Sequence, residues 1–247
     1  MNTLDKKVAL VTGAGGTMGR AVVAMLAGQG CRVAMVDLKL ESMQALVAAF
    51  GEQVLPLACD IQDPAAVSRA HELVQLKWGM VEILVNNAGV LTNEKIERTT
   101  LENWRHVMAV NADAPMLWSR CVVPAMKAAR WGRIVNVGSL ASKTGGLTAG
   151  TAYAVSKGAI TALTLSLARE LAPFGVTANA VAPAYVRTPM VTEALTEEQR
   201  QVLLRQIPVG RFCEPEEFAH AVGFLVSPLS GFITGEVLDL IGGLHMD

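Results

Sequence analysis

Val8-Ala9-Leu10-Val11-Thr12-Gly13-Ala14-Gly15-Gly16-Thr17-Met18-Gly19 decides the fold. Its first four residues form an apolar run too short for a helix, and residues 20–29, beyond the glycines, carry a helical apolar pattern. A strand that enters a helix through glycines puts backbone amides and the positive helix end where a pyrophosphate can approach. Tight strand-to-helix turns use glycine for backbone freedom in any case, so the turn acquires meaning only from the rest of the chain.

The rest of the chain is regular. Strand patterns at 31–36, 54–58, 83–85, 133–137, 176–181 and 236–240 alternate with helical patterns at 41–50, 64–78, 101–130 and 152–171. Such alternation predicts right-handed crossovers and one parallel sheet covered by helices on both faces, an α/β Rossmann fold of seven strands. At 247 residues, 51% hydrophobic and 17% charged, the chain suits one domain, 1–247, with no linker. The exception is 187–212, a polar, helix-forming insertion after the sixth strand, in which Thr196-Glu197-Glu198-Gln199 reads as a capping box; it is expected to act as a substrate lid.

Composition narrows the partners. A net charge of -1 without a Lys/Arg run argues against nucleic acid or an anionic membrane. No apolar run reaches membrane-span length and residues 1–7 hold no signal-peptide core, so a soluble cytoplasmic protein is expected. Cys31, Cys59, Cys121 and Cys213 are scattered without a CxxC spacing and read as reduced packing thiols, with no metal site.

Two further features carry chemistry. Asp37 closes the second strand 24 residues after Gly13, where a carboxylate accepts hydrogen bonds from the adenosine ribose and repels a 2'-phosphate; only Lys39 comes close behind it. NAD is therefore expected over NADP, against the alternative that Asp37 is a turn residue. Tyr153 and Lys157 stand four apart and share a helix face. An ammonium beside a phenol favours the phenolate and lowers a pKa that is ordinarily about 10, which would let Tyr153 exchange a proton with a substrate oxygen. The same spacing also suits an ordinary packing pair.

Taken together, Thr12-Gly13 with Gly19, Asn86-Asn87-Ala88-Gly89 after the fourth strand, Ser139 after the fifth, Tyr153 with Lys157, and Ile233-Thr234-Gly235 resemble the short-chain dehydrogenase/reductase family along essentially the whole chain. The resemblance implies hydride transfer between a nicotinamide and a secondary alcohol or ketone. It assigns Tyr153 as acid/base, Ser139 to the substrate oxygen, Lys157 to tuning Tyr153 and holding the nicotinamide ribose, and Asn111 to a proton-relay water. Ser142 rivals Ser139, and the interval of 14 from Ser139 to Tyr153 is one residue longer than in many members.

The same resemblance places Gly13, Gly16, Thr17, Met18 and Gly19 at the pyrophosphate and Asp37 with Leu38 at the adenosine ribose. Asp60 and Ile61 fall at the adenine, Asn87, Ala88 and Gly89 beside the central strand, and Pro183, Val186 and Thr188 at the carboxamide. For Asn87 a structural role is equally consistent. Thr17 stands where the family usually has a glycine, and its hydroxyl is expected to cap the helix; Ala184 replaces another glycine.

The substrate stays open. Leu140, Leu147, Tyr185, Met190 and Leu195 suggest a partly apolar pocket, and Arg187 could meet an anionic group. The chain resembles 3-oxoacyl-carrier-protein reductases, which usually use NADPH and so sit awkwardly with Asp37. A polyol, sugar or hydroxy-acid dehydrogenase using NAD is the alternative, and an inactive NAD-binding regulatory protein a third reading. The helical patterns at 103–130 and 152–171 carry more apolar surface than one domain covers, and the resemblance implies a homotetramer built on them.

Overall fold

The computed structural model describes residues 4–189 and 196–246. Seven strands form one sheet in the order β3-β2-β1-β4-β5-β6-β7, parallel throughout. They are β1 (Val8–Thr12), β2 (Arg32–Asp37), β3 (Val54–Ala58), β4 (Ile83–Asn86), β5 (Gly132–Val137), β6 (Val176–Pro183) and β7 (Val237–Leu240). Both faces of the sheet are buried, which is why the central strands are apolar without a break. Ala9 and Val11 pack on one side with α1 (Thr17–Gly28), α2 (Gln44–Phe50) and the helix Pro215–Val226. Val8 and Leu10 pack on the other with α3 (Pro64–Trp78), α5 (Ala114–Ala129) and α7 (Thr151–Leu171).

The topology reverses at β1. β2 and β3 build outward on one side, the chain then crosses to β4 on the other, and the loops leaving β1 and β4 diverge above the strand ends. This switch point opens the crevice in which ligands of such sheets bind. Among the described residues no helix is long and apolar enough to cross a membrane.

The pattern at 101–130 is not one helix. α4 (Leu101–Met108) and α5 are joined by a π-helical turn, Ala109–Asp113, with Asn111 inside it. Pro115 has no N–H to give the Asn111 carbonyl, so the α ladder is broken where the turn widens. The Asn111 side chain bonds outside its own helix instead, accepting from Val90 N and donating to Val90 O, both at 2.9 Å, and donating to Ser156 Oγ at 3.0 Å.

Thr17 does not cap α1. Gly16 is the N-cap, Thr17 is the first helical residue, and no side chain closes the first turn. In the insertion, the helix Glu197–Gln206 begins directly after Thr196. Leu203, Ile207 and Phe212 form a small cluster of their own with Tyr185, Leu204 and Leu244. Met190 and Leu195 lie outside the described residues.

Candidate active site

A cleft of about 900 Å³ runs across the C-terminal ends of the strands, from Asp37 and Asp60 to Tyr185 and Leu203. Its first end is made of backbone. Gly13 adopts φ +63°, and a Cβ there would stand 2.8 Å from Ala88 Cα; a Cβ on Gly19 would stand 2.1 Å from Gly13 O. Thr12 fixes the turn to the neighbouring loop, its Oγ1 accepting from Asn87 N and Ala88 N at 3.1 Å each. Asn87 Nδ2 returns the contact, donating to Thr12 O at 2.9 Å and Gly13 O at 3.1 Å. The structural alternative for Asn87 is thus realised in the fold.

Asp37 Oδ2 accepts from Gly15 N and Oδ1 from Leu38 N, both at 2.8 Å. The carboxylate braces the glycine turn and keeps acceptor capacity for further donors. With no side-chain cap on α1 and no acidic residue in its first turn, the first N–H groups of the helix are open to an anion. The residues therefore fit a dinucleotide. Gly89 leaves room in front of Lys157, whose Nζ would be 3.5 Å from a Cβ placed there.

The other end is made of side chains. Ser139, 7% exposed, stands between β5 and the short helix α6 (Ala141–Thr144), and its hydroxyl accepts from Ala141 N at 3.1 Å. Ser142 is no rival at this point, because its Oγ donates to Ser139 O at 2.8 Å. Lys157, 4% exposed, donates from Nζ to Val137 O at 2.7 Å and lies 5.6 Å from the Tyr153 ring centre. Burial pushes the Tyr153 phenol above its ordinary pKa, and the nearby Ser139 side chain only partly opposes this. Burial also lowers the Lys157 ammonium to about 8. Desolvation, which penalises both charged forms, thus outweighs the lowering of the phenol pKa expected from Lys157.

A family model described as enoyl-(acyl carrier protein) reductase matches residues 13–245. The 3-oxoacyl-[acyl-carrier-protein] reductase of Vibrio cholerae is 39% identical over 244 residues, covering 98% of this chain and 99% of that one. Those of Escherichia coli and Thermotoga maritima are each 37% identical, covering 98% of both chains. The chain belongs to the short-chain dehydrogenase/reductase family. The crystal structure of gox2181 superposes with a TM-score of 0.92 at 30% identity, covering 99% of this chain and 98% of that one.

In this short-chain dehydrogenase/reductase the residues expected at a cofactor or substrate line the cleft, except Arg187, Asn111, which lies behind it, and the undescribed Met190 and Leu195. Arg187 stands outside the cleft lining, with its Nε paired to Glu214 at 2.9 Å. Ser42, Gln62 and His106 also line the cleft and are not legible as site residues in the sequence. Ser42 Oγ donates to Lys39 O beside Gly15. His106 Nδ1 meets Gln62 Oε1 at 3.1 Å where α4 faces the loop after β3. Their sequence separation of 44 residues carries no signal of that meeting.

Proposed function

We propose that this chain is an NAD(H)-dependent oxidoreductase interconverting a secondary alcohol and a ketone, with a 3-oxoacyl/3-hydroxyacyl compound as the substrate pair. One observation carries this reading: Ser139, Tyr153 and buried Lys157 line the same cleft as Asp37. The full-length likeness to 3-oxoacyl-[acyl-carrier-protein] reductases supports the substrate class.

The nicotinamide supplies the hydride in reduction and accepts it in oxidation. In the reductive direction Tyr153, kept protonated by burial, donates its proton to the carbonyl oxygen that Ser139 also holds. Lys157 would hold the ribose of the nicotinamide, and Asn111 fixes the loop at Val90. Asp37 would accept the adenosine ribose hydroxyls, with Asp60 and Ile61 at the adenine and Pro183, Val186 and Thr188 at the carboxamide.

Asp37 favours a second reading, the NAD-linked oxidation of a polyol, sugar or hydroxy acid. A panel of 3-oxoacyl thioesters, ketones and secondary alcohols assayed with both cofactors at the nicotinamide absorbance separates the two. The highest kcat/KM is expected for a 3-oxoacyl thioester with NADH. Calorimetry showing tighter binding of NADPH than NADH would overturn the role given to Asp37. Met116, Val155 and Leu165 leave apolar surface on α5 and α7, which supports a homotetramer; a monomeric mass by light scattering at micromolar concentration contradicts it.

A further inference from the structure

The segment Gly145-Gly146-Leu147-Thr148-Ala149-Gly150 joins the Ser139 turn to the start of α7. Three glycines among six residues make it costly to order, since glycine loses the most backbone freedom on folding. Gly145 and Gly146 adopt φ +72° and +82°. Yet Leu147, Thr148 and Ala149 form part of the wall of the substrate end of the cleft, where a loose wall would defeat discrimination.

The ordering contacts come from outside the segment. Lys95, in the loop after β4, donates from Nζ to Gly146 O at 2.8 Å and to Ala149 O at 2.6 Å. Adjacent backbone completes the seam: Gly150 N donates to Thr92 O at 2.7 Å and Thr151 N to Glu94 O at 3.0 Å. The seam is closely packed, because a Cβ on Gly150 would stand 2.5 Å from Glu94 O. On the opposite side the Thr148 hydroxyl meets the Tyr185 hydroxyl at 3.2 Å. One ammonium thus spans both ends of the turn whose middle faces the substrate.

We propose that Lys95 is a positioning residue that clamps the loop 145–150 as the substrate wall of the cleft, setting how the ketone is held without touching the cofactor or the reacting atoms. No local pattern announces this role, because Lys95 and the carbonyls it bridges are 51 and 54 residues apart.

Lys95→Met removes the donors at nearly constant length, and Lys95→Arg restores donors. Amide hydrogen exchange across 145–151, read by mass spectrometry on the whole protein, is expected to be about tenfold faster in Lys95→Met and to return toward wild type in Lys95→Arg, as suits the loss of two charge-assisted bonds. With acetoacetyl-coenzyme A as probe, Lys95→Met should raise KM about tenfold while kcat and the calorimetric Kd for NADH change less than about threefold. Unchanged exchange overturns the clamp. Faster exchange with unchanged KM, or a Kd for NADH that rises as much as KM, overturns its role at the substrate wall. The kinetic comparison rests on the reductase reading and the exchange does not: a wild-type protein inert to every ketone, with exchange responding as expected, defeats that reading and leaves the clamp standing.

Discussion

The two ends of the cleft are built from different materials. At the Asp37 end the surface is backbone: glycines too crowded for a Cβ, amides left open at a helix start, and a Thr12–Asn87 lattice between adjacent strand ends. At the Tyr185 end it is side chains and loop, held by contacts between segments far apart in the chain, such as Lys95 with Gly146 and Tyr185 with Thr148. A backbone surface suits a ligand that does not change and tolerates little substitution. A side-chain surface can change specificity while the scaffold is kept. Tyr153 and Lys157, on α7, line the same cleft as both ends.

Four substitutions test this division, taken from the largest expected effect downward. Tyr153→Phe removes the proton donor and keeps the ring, and should lower kcat about 10³-fold in a turnover assay with the Kd for NADH unchanged. Near-wild-type turnover would move the acid/base elsewhere.

Lys157→Met tests the junction through stability. The folded ammonium titrates at about 8, below its ordinary 10.5, so between these values the unfolded chain holds the proton that the folded one has lost. The stability of the cofactor-free wild type relative to Lys157→Met should therefore rise by about 3 kcal/mol from pH 8 to pH 10.5. Denaturant midpoints at the two pH values check this, and a flat difference would mean that Lys157 is hydrated.

Gly19→Ala should weaken NADH binding about 30-fold by calorimetry, since the new Cβ forces the turn away from Gly13 O. A variant that binds normally would show the turn to be more yielding than a backbone surface should be. Leu147→Ala is the mildest, because Leu147 is 64% exposed. It should alter KM for the ketone about threefold and leave cofactor affinity alone; an equal change in cofactor affinity would erase the distinction between the two ends.

The strands and the nucleotide turn are legible in the sequence because their signals are local. Each β run is apolar over consecutive residues, and the turn glycines adjoin the strand before them. Ser139 is distinguished from Ser142 in the sequence only by its place just after a strand; the structure supplies the reason, with Ser142 turned back onto the Ser139 carbonyl. The break between α4 and α5 is hidden because every residue of 101–130 fits a helical pattern, and the one local hint is Pro115, which a helix also accepts in its first turn. The Arg187–Glu214 pair is invisible in the sequence because the two stand 27 residues apart.

By itself the sequence determined the seven-stranded parallel sheet, the glycine turn, Asp37 at the end of β2, and the Tyr153–Lys157 spacing. All of these come from periodicity, backbone freedom and residue chemistry within a few positions. Only the tertiary structure decided which charges are paired, which are buried and which loops are held. The sign of the Tyr153 shift depends on how much water the surrounding elements exclude, and the reach of Lys95 depends on where two distant loops meet. Desolvation and long-range hydrogen bonds are properties of the packed chain, and no stretch of sequence carries them alone.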